Sequence, residues 1–223
     1  MTALSRRFVL AGSALAAAAS VVAVVPRAIA RTGTVALDFK LHAWFFSREA
    51  HQSLPVDPHA FVVDPKAAAA IGPQGIHHVA GFRPALMFGP HDIGVYNALG
   101  KPLGFTLAEW FAAHGTVRIT TAGAGAQVAC RFHRLRPNGV YSLFENHFDQ
   151  KPIGFTPLDG AGTRNSFVAD ANGDASIVVR TPAPLTHANA VLLVYHSDNK
   201  THGISRGAIG VTAHHQLIAR LPA

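Results

Sequence analysis

The sequence has little of two things that hold many proteins together or mark their class. It has one cysteine in 223 residues, so the chain cannot form an intramolecular disulfide. Charged residues make up only 14% of it, against roughly 25% in ordinary soluble domains, while 49% of its residues are hydrophobic. This composition excludes an intrinsically disordered chain, which needs high charge, and a coiled coil, which needs abundant Glu and Lys.

Signatures of nucleotide and nucleic-acid binding are also missing. The sequence contains no P-loop and no dinucleotide-binding glycine fingerprint. Three of the nineteen basic residues and none of the twelve acidic residues lie in residues 1–30, so residues 31–223 carry a formal net charge of +4 rather than +7. This charge is spread thinly and lacks the clustered Lys and Arg of nucleic-acid-binding proteins. We therefore expect no nucleic-acid partner.

Residues 1–30 have the layout of a secretory signal peptide. Arg6 and Arg7 form a basic start, residues 8–26 carry no charge, and the small residues Ala28 and Ala30 precede a predicted cleavage site. Ser5, the two arginines and Leu10 match the motif of the twin-arginine family of export signals, which this segment resembles. Val9 and Ala11 depart from that motif.

The resemblance implies a bacterial protein that is exported in a folded state, with a periplasmic or secreted location and no membrane contact after cleavage. The uncharged stretch is also just long enough to span a membrane, so an uncleaved anchor stays open as an alternative. The predicted organisation is a twin-arginine-type signal peptide in residues 1–30 and a single β-sandwich domain in residues 31–223.

The mature region favours an all-β fold, because short apolar runs near period 2 alternate with turn signals. We predict an antiparallel β-sandwich with one short helix and a long irregular connection over residues 47–90. Thr106 and Glu109 form a capping-box pattern that predicts the helix over residues 106–113. The predicted strands span residues 35–46, 94–97, 116–121, 127–135, 140–148, 166–169, 176–180, 190–196 and 207–221.

Histidine is the most informative residue type. All 14 histidines lie in residues 31–223, and six lie between residues 147 and 215. Neutral imidazole is the commonest protein ligand for zinc and copper. We therefore predict one site for copper or zinc, with Glu145 or Asp198 orienting the ligand rings. Its predicted ligands are His147, His196, His202 and His214.

Strand alternation assigns these side chains to faces. His147 shares a face with Tyr141 and Leu143, and His196 shares one with Leu192 and Val194. The adjacent His214 and His215 must point to opposite faces, so only one of them can join a given site.

Two other functions stay open. The first is a metal-free binding module outside the cytoplasm, in which phenylalanine-rich turns and residues 47–90 contact a cell-envelope partner. The second is a hydrolase, although the sequence pairs no serine with a base. Metal handling or a metal-dependent reaction is the function that the histidine pattern favours.

Overall fold

The computed structural model describes residues 33–223, and the predicted signal peptide lies outside the described residues. Two α-helices occur, α1 (His42–Glu49) and α2 (Leu107–Ala112), together with a 3-10 turn at Pro73–Gly75. The strands in chain order are β1 (Thr34–Asp38), β2 (Lys40–Leu41), β3 (Val56–Val63), β4 (Ala70–Ile71), β5 (His77–His78), β6 (Phe82–Leu86), β7 (Gly94–Tyr96), β8 (Pro102–Thr106), β9 (His114–Ala122), β10 (Gly125–His133), β11 (Val140–His147), β12 (Gly154–Pro157), β13 (Ser166–Val168), β14 (Ala175–Thr181), β15 (Asn189–His196) and β16 (Ala213–Arg220).

Two antiparallel sheets form the sandwich, which confirms the predicted fold class. One has the order β1-β9-β10-β14, and the other has the order β12-β11-β15-β16-β2, with β13 also paired to β11. Their facing sides share one apolar core, to which Val128 and Phe132 contribute from the first sheet and Leu143, Leu193 and Leu217 from the second. Stacking two apolar sheet faces removes this surface from water, which is the main force that stabilises the fold.

The second sheet is buried on both faces. Every residue of β15 is buried, and Phe144, Leu192 and Ile218 form a second apolar cluster on the outer side, against which Phe45 of α1 packs. A third sheet, of order β6-β3-β7-β8, approaches the same region through β3. Helix α1 and strand β3 thus supply a third layer, and their histidines meet His215 of β16 there.

The first part of the described chain differs from its predicted conformation. The single strand predicted over residues 35–46 is instead β1, which ends at Asp38 in one sheet, and β2 in the other sheet, and α1 begins at His42. His42, Ala43 and Ser47 are the buried residues of this helix, and their spacing of one, four and five fits one helical face. A short apolar run is compatible with both the helical period of 3.6 and the strand period of 2. Packing on the sheet therefore decides between helix and strand.

Residues 47–90 contain four short strands that the sequence pattern did not reveal. The longest, β3, is buried at six consecutive positions from Asp57 to Val62. A strand that is buried on both sides shows no apolar–polar alternation, which is the signal that predicts strands. The predicted helix is confirmed: Thr106 caps α2, and both hydrogen bonds of the capping box with Glu109 are present. No helix within residues 33–223 is both long enough and apolar enough to cross a bilayer.

Candidate metal centres

Two groups of side chains among the described residues bring three metal-ligating atoms together. One consists of His196, Asp198 and His202, and the other consists of His42, His59 and His215. Within each group, one ligand atom from every residue lies within 4.8 Å of the others. Both groups could hold a metal ion, so histidines distant in the chain do converge in the fold.

The four histidines predicted as one site do not all converge. His196 and His202 lie in the same group, whereas His147 and His214 belong to neither. Strands β11 and β15 are antiparallel, and Val140 pairs with His196 while His147 pairs with Asn189. His147 therefore lies seven residues along the ladder from the His196 position, about 23 Å at roughly 3.3 Å per residue.

His147 has local partners instead. Its Nε2 atom lies 2.9 Å from the Thr156 hydroxyl, and its Nδ1 atom lies 3.6 Å from a carboxylate oxygen of Glu145. Burial raises the pKa of Glu145, and the neighbouring His147 acts in the opposite direction. Glu145 thus contacts a predicted ligand, but at the far end of the strand from His196.

His214 is close to His196 along the sheet but lies on the opposite face. It pairs in register with Tyr195, whose side chain belongs to the sandwich core, whereas His215 pairs with Val194 of the outer cluster. The prediction that the two adjacent rings face opposite sides is confirmed. The His214 Nδ1–H group donates to the His59 carbonyl at 2.7 Å, and its Nε2 atom lies 3.1 Å from the Ser197 hydroxyl. Both nitrogens are therefore engaged in hydrogen bonds.

The group of His196, Asp198 and His202 lies where β15 ends and the following loop turns back. His196 is fully buried, and its Nε2 atom is 2.8 Å from the Ser142 hydroxyl. Its Nδ1 atom is buried and has no hydrogen-bond partner within residues 33–223. Burial, followed by the nearby His202, lowers the pKa of His196 to about 4, so the ring is neutral at pH 7. A neutral ring with a free Nδ1 atom is a competent metal ligand.

Asp198 and His202 are more accessible than His196. The His202 Nε2 atom lies 3.1 Å from a carboxylate oxygen of Asp198, and both side chains are 27% exposed. The His196 and His202 rings are 5.2 Å apart between centroids. Asp198 was expected to orient a ligand ring, and the structure places it as a third donor beside the two imidazoles.

A close backbone approach holds the loop that carries His202. Gly162 has φ +71°, and a Cβ atom there would overlap the backbone of Gly203, which directly follows His202. The turn around Gly162 is itself ordered by Asp159, which accepts hydrogen bonds from the amides of Gly162, Thr163 and Arg164. The absence of a side chain at Gly162 therefore lets the two loops touch and sets the position of His202.

The second group joins three separate elements. His42 starts α1, His59 lies in β3, and His215 lies in β16. The His59 and His215 ring centroids are 4.1 Å apart, and the His42 ring is 5.1 Å from His59. Sequence reasoning did not find this group, because no local spacing links positions 42, 59 and 215.

Asp57 places His59 in this group. Its Oδ1 atom accepts the backbone amides of His59 at 2.8 Å and Ala60 at 3.2 Å, and its Oδ2 atom accepts the indole N–H of Trp110 at 2.7 Å. Burial raises the pKa of Asp57 to about 6, although these three hydrogen bonds act to lower it. The buried carboxyl group thereby fixes an irregular turn in β3 that presents His59 to β16.

The nitrogens of this second group are largely occupied. The His59 Nδ1 atom accepts the amide of His215 at 2.7 Å, so its Nε2–H group must donate to Gln74 Oε1, also at 2.7 Å. The His215 Nε2 atom accepts from the guanidinium of Arg206 at 3.0 Å. Burial first, and then the Arg206 charge, lower the pKa of His42 to about 3, and burial holds the pKa values of His59 and His215 well below their ordinary range.

The structure also pairs serines with histidines, which bears on the hydrolase alternative. Ser142 meets His196, but its side chain is buried and contacts the ring from within the sheet. Residues 203–207 have the letters G-x-S-x-G. The nucleophile elbow requires a strand-to-helix turn, whereas no helix follows Ser205, so its structural context is absent.

Comparisons with protein-family models, curated proteins and solved structures found no match to this chain.

The buried neutral histidines predict loss of stability in acid. The pKa values of His42, His196 and His214 are about 3, 4 and 4, below the ordinary 6.5. Between pH 6.5 and these values the unfolded chain binds protons that the folded chain does not, so each ring lowers the free energy of unfolding by about 2 kcal/mol between pH 7 and pH 5. Asp57, whose pKa is raised, stabilises the folded chain as the pH falls, and this gain offsets the loss from about one histidine ring.

Urea unfolding at pH 7.5, 6 and 5 measures this effect. We expect a loss of several kcal/mol across the series, and His42→Leu, which removes one titrating ring, should make the loss shallower. Equal free energies of unfolding at pH 7.5 and pH 5 would contradict the burial of neutral histidines.

Gly162→Ala tests the close approach of the two loops. The added methyl group meets the Gly203 backbone in addition to the strain of a positive φ, so we expect a loss of about 2–4 kcal/mol in the free energy of unfolding. Gly123→Ala is the matched control, because Gly123 has φ +61° but no atom within 4 Å of the added Cβ. That variant should lose only about 1 kcal/mol. Equal losses in urea unfolding would show that the contact with Gly203 is unimportant.

Proposed function

We propose that this chain is an exported protein that binds a divalent transition metal, zinc or copper, through His196, Asp198 and His202. The observation that carries the proposal is the convergence of three donor atoms within 4.8 Å of one another, one of them from a buried histidine whose Nδ1 atom lacks a partner. An unpaired polar atom in the interior is costly, and a bound metal would satisfy it.

The donor set has the chemistry that zinc and copper(II) prefer. Two imidazole nitrogens and one carboxylate oxygen form a borderline-hard set, whereas copper(I) prefers thiolates and thioethers. A tetrahedral zinc ion with bonds of about 2.0–2.1 Å holds its ligands about 3.4 Å apart. The 3.1 Å separation of His202 Nε2 and Asp198 Oδ2 is near this value, so both atoms could bind one metal ion.

The surroundings of His196 also suit a metal ligand. If Nδ1 binds the metal, the opposite Nε2–H group can donate to the Ser142 hydroxyl at 2.8 Å. Such a hydrogen bond from the other ring nitrogen fixes the orientation and tautomer of metal-ligating histidines. Ser142 is buried, which keeps this contact dry.

Charge favours this group over that of His42, His59 and His215. The first group includes a carboxylate that would offset the metal's charge. The second group has no acidic member, and the Arg206 guanidinium lies 3.0 Å from His215. A cation would have to displace that arginine and also break the hydrogen bonds of His59. The environment of the second group therefore opposes binding of a metal ion.

Three protein ligands leave a fourth tetrahedral position for water or a small ligand. Closed four-ligand zinc sites are structural, whereas three-ligand sites with an open position support catalysis or exchange. The partial exposure of Asp198 and His202 gives the metal a route to solvent. Metal handling or a metal-dependent reaction is consistent with such an open site.

The proposed location is the periplasm or the medium, by export through the twin-arginine pathway. Its support is the pattern of Ser5, Arg6, Arg7 and Leu10 ahead of an uncharged segment. Export in the folded state would allow a metal to be loaded before transport. A cell-envelope protein is the kind of partner that this location implies.

Metal titration of protein purified without a polyhistidine tag tests the site. Isothermal titration calorimetry with ZnCl₂ and CuCl₂ should show one equivalent bound at pH 7.5, and His202→Ala should weaken that affinity at least about 100-fold. His202 is partly exposed on a loop, so the variant should fold. The metal affinity should decrease as the pH is lowered, because protons compete with the metal for the imidazoles.

His133→Ala is the matched control for this titration. His133 and Asp174 form another histidine–aspartate contact of 2.9 Å, on the surface of the sandwich, but they belong to neither three-residue group. This variant should bind as the parent does. Absence of stoichiometric binding by the parent, or equal binding by His202→Ala, would overturn the proposal.

Replacement of both signal arginines tests the location. Arg6→Lys combined with Arg7→Lys should retain the protein in the cytoplasm of a bacterial host, because the resemblance to twin-arginine signals rests on that pair. Cell fractionation and immunoblotting measure the distribution. Unchanged export of the double variant would contradict the proposed pathway.

A further inference from the structure

A cavity of about 910 Å³ lies beside the second histidine group. It is lined by α1, by the segment around Ile76, by residues 148–155 leading into β12, and by residues 206–215. Most of its wall is apolar, and its principal apolar residues are Phe45, Phe46, Phe148, Ile153, Phe155 and Ile209. Its volume is in the range of small-molecule sites, which are mostly apolar with a few placed polar groups.

Three polar side chains of the cavity wall each carry an atom without a partner among the described residues. His42, His215 and Asn146 line it, and their Nδ1, Nδ1 and Oδ1 atoms respectively are buried with no hydrogen-bond partner within residues 33–223. Buried polar atoms are nearly always hydrogen-bonded in folded proteins. The side chains that carry these three atoms all line this one cavity.

Arg206 supplies the decisive charge. It lines the same cavity, its guanidinium stacks on the Phe155 ring, and it donates to the neutral His215 at 3.0 Å. Burial lowers the pKa of Arg206 to about 10, so it remains a cation at neutral pH. Among the described residues no carboxylate forms an ion pair with it, whereas Arg83 and Arg220 each have one. A partly buried arginine without a counter-charge can bind an anion through strong, charge-assisted hydrogen bonds.

The acidic group on the cavity wall does not fill that role. Glu49 is 51% exposed in its side chain, and its carboxylate lies 3.5 Å from Arg220. The histidines beside Arg206 are neutral and cannot neutralise it. The buried part of the cavity is therefore positively charged at one point and apolar elsewhere.

We propose that this cavity binds an amphiphilic monocarboxylate, a carboxylic acid with an apolar aliphatic body. The carboxylate accepts hydrogen bonds from Arg206 and from a ring N–H of the neighbouring histidines. The apolar body lies between the phenylalanines of α1 and the side chains of Phe148 and Phe155. This binding is separate from the proposed metal site and does not depend on it.

Calorimetric titration of the whole mature chain with sodium decanoate tests the proposal. We expect saturable one-to-one binding, with at least tenfold weaker binding of acetate, which lacks the apolar body, and of decylammonium, which carries the opposite charge. Arg206→Gln should weaken decanoate binding at least tenfold. Arg118→Gln, on the exposed side of the other sheet, is the control and should not change it.

A second pair of variants keeps the test decisive if Arg206→Gln fails to fold. Ile153→Glu places a carboxylate on the cavity wall and should weaken decanoate binding, whereas Ile204→Glu places one at a more exposed position that does not line the cavity. His202→Ala should bind decanoate as the parent does, which separates this proposal from the metal site. No decanoate binding, equal decylammonium binding, or equal affinity of the two isoleucine variants would overturn it.

Discussion

The edge of β16 is the constraint on which the second histidine group and the cavity beside it depend. Strand β2 pairs with β16 only at Leu217 and Ile218, so the rest of that edge needs other partners. His59 supplies them: its Nδ1 atom accepts the His215 amide, and its carbonyl accepts from the His214 ring. An unpaired strand edge in the interior would leave costly polar groups, so this contact fixes β3 against the sandwich.

The contact of β3 with this edge also positions the second histidine group. Asp57 ties the turn of β3 to Trp110 of α2, and the turn delivers His59 to the sheet edge. His42 and Arg206 then pack around His59 and His215, and the cavity forms where α1 leaves the outer face of the sheet partly uncovered. One buried carboxyl group therefore organises three distant segments of the chain.

The same residue type acquires different chemistry in the two groups. The neutral ring of His196 lies beside a carboxylate and keeps one nitrogen free, which suits a cation. His215 lies beside an unpaired guanidinium, which suits an anion. Burial keeps His196 and His215 neutral, so the neighbouring fixed charge decides which ligand each can bind.

Alternation and capping were enough to predict the sandwich, the capping box of Thr106, and the opposite faces of His214 and His215. These features depend on residues adjacent in the chain, and their geometry is local. The meeting of His42, His59 and His215, the separation of His147 from His196, and the cavity at Arg206 were decided only by the tertiary structure. Period 2 assigns a side chain to a face, but the pairing register determines its position along that face, and register depends on the whole sheet.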